Sequence, residues 1–109
     1  MKNFAFIFAR GGSKGIPRKN LLKINGLSLV EHSINVALAV DSINQVYVST
    51  EDSEIASISR QAGAEIIDRP LHLAADNSPE WLSWQHAIKY SLELNGNFDK
   101  FISLFIQNI

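Results

Sequence analysis

The first apolar run, residues 4–9 (FAFIFA), is continuous and of strand length, the pattern of a strand buried on both faces of a parallel sheet. Leu27, Val30, Ile34, Ala37 and Leu38 then recur on one stripe at about 100° per residue, which predicts a helix over residues 28–40. Residues 45–49 (QVYVS) are β-rich and predict a second strand. Ile55, Ile58, Ser59 and Ala62 share one helical face that ends at Gly63, a residue suited to a helix C-terminus. Residues 64–67 read as a brief third strand and 68–77 as a loop containing Pro70. Ser78 is placed to cap a helix with Pro79 at its first position and Trp81, Trp84, Ile88 and Leu92 as its buried stripe. Residues 101–106 begin a fourth strand.

Strands alternating with helices imply right-handed crossovers, hence an α/β fold with a parallel-type sheet and helices on both faces. No repeat, low-complexity stretch or linker divides the chain, so residues 1–109 read as a single domain, and 46% hydrophobic residues supply its core. A net charge of −1 with mixed signs gives no field suited to nucleic acid or a membrane surface. The absence of cysteine removes disulfides and thiolate metal sites. The run 4–9 is too short for a signal-peptide core or a membrane span, so a cytoplasmic location is expected.

The candidate chemistry begins where the first strand ends, in residues 10–20 (RGGSKGIPRKN). Glycines let backbone N–H groups approach an anion, and Arg10, Lys14, Arg18 and Lys19 bring positive charge. The segment fits neither the Walker A spacing nor Gly-x-Gly-x-x-Gly, and the latter failure argues against a nicotinamide-binding domain. A solvated turn can also read Gly-Gly-Ser. Position favours a ligand, because open α/β sheets bind beyond the carboxyl ends of their strands. Arg10 and Lys14 leave the strand where a phosphate would sit, whereas Arg18 reads as solvated.

Four blocks in order carry a resemblance: residues 9–20 (ARGGSKGIPRKN), 48–52 (VSTED), 63–65 (GAE), and Arg69-Pro70 followed by 73–76 (LAAD). Together they resemble the acylneuraminate cytidylyltransferases, or CMP-sialic acid synthetases. The resemblance implies a Rossmann-like nucleotidyltransferase fold, here truncated after about the fourth strand. It also implies transfer of a cytidylyl group from CTP to a nine-carbon 2-keto sugar acid such as N-acetylneuraminate. The sugar's anomeric hydroxyl attacks the α-phosphorus, an O–P bond forms, and pyrophosphate leaves. Clamping and neutralising the triphosphate accelerates such a step.

By that resemblance Arg10, Lys14, Lys19 and Asn20 contact the nucleotide, with the backbone of Gly11, Gly12 and Ser13 around the phosphates. Arg10 and Lys14 are the catalytic candidates. Arg69, Ser78 and Glu80 are expected at the cytosine and ribose end. The family's Mg²⁺ is expected to use aspartates of a C-terminal half, and its homodimer an arm, that lie outside these residues. The family's fourth strand leads into a loop ending Thr-Ser-Pro-Leu-Arg, from which residues 105–109 (FIQNI) depart as an atypical tail. A truncated or frameshifted synthetase, inactive or weak, is therefore expected. The alternative is a non-catalytic nucleotide-binding module, or a fragment acting with a partner chain. The eight-carbon acid Kdo is not the expected substrate, since its enzymes lack Gly-Gly-Ser-Lys-Gly.

Several residues carry a second reading. Read without the resemblance, Arg69 is a surface arginine pairing with Asp68 or Glu65. Glu51 stands where the family usually has aspartate, and with Asp52 it forms a carboxylate pair that suggests either a metal ligand or, through Asp52 or Ser53, a helix cap. Asp76 either orders its loop or touches ligand. His32, His72 and His86 lack metal-ligand spacing, Gln85 falls within the expected buried stripe, and the tryptophans read as core.

Overall fold

The computed structural model describes residues 3–11, 19–73, 80–96 and 100–104. Its elements run β1 (Asn3–Phe8), a 3₁₀ turn (Lys19–Leu21), β2 (Lys23–Ile24), β3 (Leu27–Ser28), α1 (Leu29–Leu38), β4 (Gln45–Thr50), α2 (Ser53–Gln61), β5 (Glu65–Asp68), a second 3₁₀ turn (Leu71–Leu73), α3 (Glu80–Asn95) and β6 (Lys100–Leu104). Four strands form one sheet in the order β5-β4-β1-β6, and every pairing in it is parallel. The order turns back at β1, whose neighbours are β4 on one side and β6 on the other. In such sheets the crevice outside that turning point is where ligands bind.

Each face of the sheet takes a different size of side chain. Ala5, Ile7, Val46 and Val48 pack with Val30 and Ile34 of α1 and Ile55 of α2. On the other face Phe4, Phe6, Tyr47 and Ile67 pack with Ala87 of α3. Tyr47 is fully buried, stacks on Phe6 at 5.1 Å between ring centroids and meets Phe4 edge-on at 5.7 Å.

This packing corrects the reading of α3. The helix turns Ser83, Ala87 and Ser91 inward, while Trp81 is 54% and Leu92 41% exposed, Trp84 and Ile88 are half-buried and Gln85 is exposed. Three aromatic rings rising from the sheet leave room for small side chains at the contact, so the i, i+4, i+8 series of Ser and Ala wins over the larger apolar set. Leu38 departs from expectation too, being 50% exposed at the end of α1.

The segment between the glycine-rich region and α1 folds as a small hairpin, with β2 antiparallel to β3 across Asn25-Gly26. Both turn residues have positive φ, 54° and 85°, as a two-residue hairpin turn requires. Ser28 ends the hairpin and caps α1 in a capping box with Glu31. The Glu31 carboxylate accepts the Ser28 backbone N–H at 3.0 Å and its hydroxyl at 2.8 Å, and these two bonds hold its carboxyl below the ordinary 4.5. A depressed carboxyl stabilises the fold above its unfolded value and stops doing so as pH falls through the folded one. Stability in urea is expected to decline as pH falls below about 4.5, and Glu31→Gln to flatten that decline.

Candidate functional site

The register of the sheet assembles the site. Phe8 of β1 pairs with Ser49 of β4, and Thr50 of β4 pairs with Asp68 of β5. Continuing both ladders by one or two residues brings Arg10, Glu51 and Arg69 abreast, just past the carboxyl ends of three adjacent strands. Backbone bonds extend the pairing that far: Ala9 N–H donates to Ser49 and Arg69 N–H to Thr50, both at 3.0 Å.

Glu51 ties the cluster together. One carboxylate oxygen accepts the Gly11 backbone N–H at 2.7 Å, and the other accepts from the Arg69 guanidinium at 3.2 Å. Arg69 is buried, 6% exposed, so its sequence-only reading as a surface arginine paired with Asp68 or Glu65 does not hold. Its other terminal nitrogen reaches Ser83 of α3 at 3.3 Å, and the Ser83 hydroxyl lies 3.4 Å from the Leu73 carbonyl. Asn20, also buried, donates from its side-chain amide to the Arg10 carbonyl at 2.8 Å, which closes the two flanks of the glycine-rich segment on each other.

Asp52 is the N-cap of α2, its carboxylate accepting from Glu54 and Ile55 N–H at 2.9 Å each. Its own N–H donates to the Thr50 hydroxyl at 3.1 Å. Both carboxylates of the pair are thus engaged by N–H donors. Among the described residues no three His, Asp or Glu side chains converge on a point.

Gly11 must be glycine for steric reasons. A Cβ built on it would lie 2.5 Å from an Asp52 carboxylate oxygen, 2.9 Å from the Asp52 Cβ and 2.9 Å from a Glu51 oxygen. The Cβ–Cβ approach cannot be relieved by turning a side-chain tip. Gly11→Ala is expected to cost about 2 kcal/mol in urea unfolding, the scale of local overpacking, and to displace the Glu51 carboxylate.

Of the residues singled out in the sequence, Arg10, Gly11, Asn20 and Arg69 come together at this one end of the sheet. Lys19 opens the 3₁₀ turn and Glu80 opens α3, their side chains lying outside what the structure describes. Gly12, Ser13, Lys14, Arg18, Asp76, Ser78 and the tail 105–109 also lie outside the described residues. Glu51 and Ser83 are the site residues that sequence reasoning missed as such. The signal for Glu51 was its place immediately past β4, beside the strand that leads into the glycines. His86 of α3 stands near Arg69: burial first, then the charges of Arg69, His72 and Lys89, hold its imidazole below the ordinary 6.5. His32 makes a structural contact instead, a ring nitrogen 2.7 Å from the Ile24 carbonyl of the hairpin.

A parallel sheet that turns back at β1, helices on both faces and a polar cluster beyond the strand ends define a Rossmann-like nucleotidyltransferase fold. The solved structure of CMP:2-keto-3-deoxy-manno-octonic acid synthetase complexed with CTP shares this fold, with a TM-score of 0.73 at 24% identity over 96% of this chain and 40% of that one. A family model described as cytidylyltransferase matches residues 4–79. The CMP-N,N'-diacetyllegionaminic acid synthase of Campylobacter jejuni (serotype O:2) is 42% identical over 73 residues, 66% of this chain and 31% of that protein. The pseudaminic acid cytidylyltransferase of C. jejuni (serotype O:23/36) is 34% identical over 106 residues, 96% of this chain and 46% of that protein. The chain belongs to the acylneuraminate cytidylyltransferase family. It spans less than half the length of each of these relatives. Among the described residues no helix is long and apolar enough to cross a membrane.

Proposed function

We propose that this chain binds CTP at the carboxyl ends of β1, β4 and β5, as the nucleotide-holding part of an enzyme that activates a nine-carbon 2-keto sugar acid. The observation that carries the reading is the convergence of Arg10, Gly11, Asn20 and Arg69 on that edge, next to a glycine-rich segment with three further cations. In this reading Arg10 and Lys14 neutralise charge that builds on the phosphates as the sugar hydroxyl attacks the α-phosphorus and pyrophosphate leaves. Lys19 and Asn20 help hold the nucleotide with the backbone of Gly11, Gly12 and Ser13, while Arg69, Ser78 and Glu80 serve the cytosine and ribose end. Mg²⁺ would add charge neutralisation when bound, held, as the resemblance implies, by aspartates of a C-terminal half outside these residues.

The coverage of the relatives, 46% at most of the two compared above, favours binding over turnover for these 109 residues alone. Two assays separate the possibilities. Calorimetry should show CTP binding with a preference over ATP, and incubation with CTP, Mg²⁺ and N-acetylneuraminate should release little pyrophosphate. Failure to bind CTP contradicts the proposal, and rapid pyrophosphate release contradicts the expected weakness of the chain on its own.

A further inference from the structure

Glu51 is a carboxylate where an anionic ligand is expected, and its contacts suggest why it is there. It spans two groups from different elements: the first N–H of the glycine-rich segment after β1, and the guanidinium that follows β5. Neither group is adjacent to Glu51 in sequence, so the side chain is a cross-brace over three strands. The helix-capping role expected of Asp52 or Ser53 falls to Asp52, while both Glu51 oxygens accept N–H donors.

We infer that Glu51 is a positioning residue for the nucleotide site, fixing the Gly11 peptide and the Arg69 guanidinium as one unit. The inference rests on the CTP-binding reading above. A carboxylate beside a polyphosphate opposes its binding by charge alone. Arg69, in ion pair with Glu51 and largely sequestered from solvent, offsets that charge, so what Glu51 contributes is geometry: it fixes the peptide plane at the start of the segment and the direction of the guanidinium. Ser83 and the Leu73 carbonyl extend the same brace into α3 and the turn before it.

The test is a variant cycle on the 109-residue chain, with CTP affinity read by calorimetry and Gly11 amide exchange read by NMR without ligand. Circular dichroism confirms that each variant is folded. Glu51→Ala is expected to speed Gly11 exchange and to weaken CTP about tenfold, the worth of a charge-assisted hydrogen bond. Glu51→Gln keeps an acceptor for the Gly11 N–H and should recover part of both effects. Arg69→Lys should weaken CTP too, and its effect in the Glu51→Ala background should be smaller than in wild type, because the two act through one contact. CTP binding by Glu51→Ala equal to or tighter than wild type would overturn the inference, as would effects of the two substitutions that simply multiply. Wild type failing to bind CTP is a separate result: it removes the nucleotide reading, and the positioning role with it.

Discussion

Arg69→Ala is expected to lower the unfolding free energy by about 3 kcal/mol, read as a shift of the urea midpoint at unchanged slope. Arg69 is 6% exposed and makes an ion pair with Glu51, whose side chain is also 10% exposed. Removing one partner of such a pair leaves the other charge with little water to solvate it, and the cost exceeds what the pair itself contributes. Glu51 would keep its bond from Gly11 N–H, which limits the loss. Ser83 loses a donor at the same time. Combining Arg69→Ala with Glu51→Gln should recover part of the stability, since the stranded charge is then gone. A single variant that unfolds like wild type would show that Arg69 is solvated in solution and that the brace between β4, β5 and α3 does not form.

The second large effect lies in the core beneath the site. Tyr47→Ala is expected to cost about 4 kcal/mol, from lost burial plus the cavity left behind. Tyr47 is fully buried between Phe6, stacked on it, and Phe4, edge-on. It sits on β4, whose partner strand β1 leads into Gly11, so the same side chain holds the two strands whose ends carry the cluster. A domain of this size is stable by roughly 5–15 kcal/mol, so the variant should be partly unfolded near the lower end of that range. Tyr47→Phe keeps the ring stack and should cost far less. If Tyr47→Ala and Tyr47→Phe unfold alike, the stack contributes little and the packing of α3 on the sheet must be redrawn.

Much of the scaffold was legible because its signals are local. The unbroken apolar run of β1 announces a strand with both faces covered, and all of Phe4 to Ile7 is buried. Asp52 falls where a cap belongs, and Gly63, just past the C-cap of α2, has a φ of 108° that suits glycine. The hairpin of β2 and β3 was also written in the sequence, as Asn25-Gly26 between apolar residues, a turn signal too short to stand out beside the longer elements. The orientation of α3 was not legible in the same way. Its sequence supports two stripes, and only the rings of Phe4, Phe6 and Tyr47, distant in the chain, select the one with small residues.

The site shows the same division. Arg10, Gly11 and Asn20 lie in one short segment and could be grouped from sequence. Glu51 and Arg69 join them only through the register of a parallel sheet, information that resides in pairings between residues 41 apart in β1 and β4 and 18 apart in β4 and β5. Sequence reasoning thus weighed Asp68 and Glu65, near neighbours, as partners of Arg69. The true partner is 18 residues back, one strand over.

The most direct test of CTP binding at the carboxyl ends of β1, β4 and β5 is an NMR titration of the isotope-labelled chain with CTP, following backbone amides and the Arg69 side chain. Resonances of Gly11, Asn20 and Arg69 are expected to move together and saturate with a single affinity, while the hairpin at Asn25-Gly26 and the far end of α1 stay put. Saturable shifts confined to other parts of the chain, or no shifts at millimolar CTP, would contradict it.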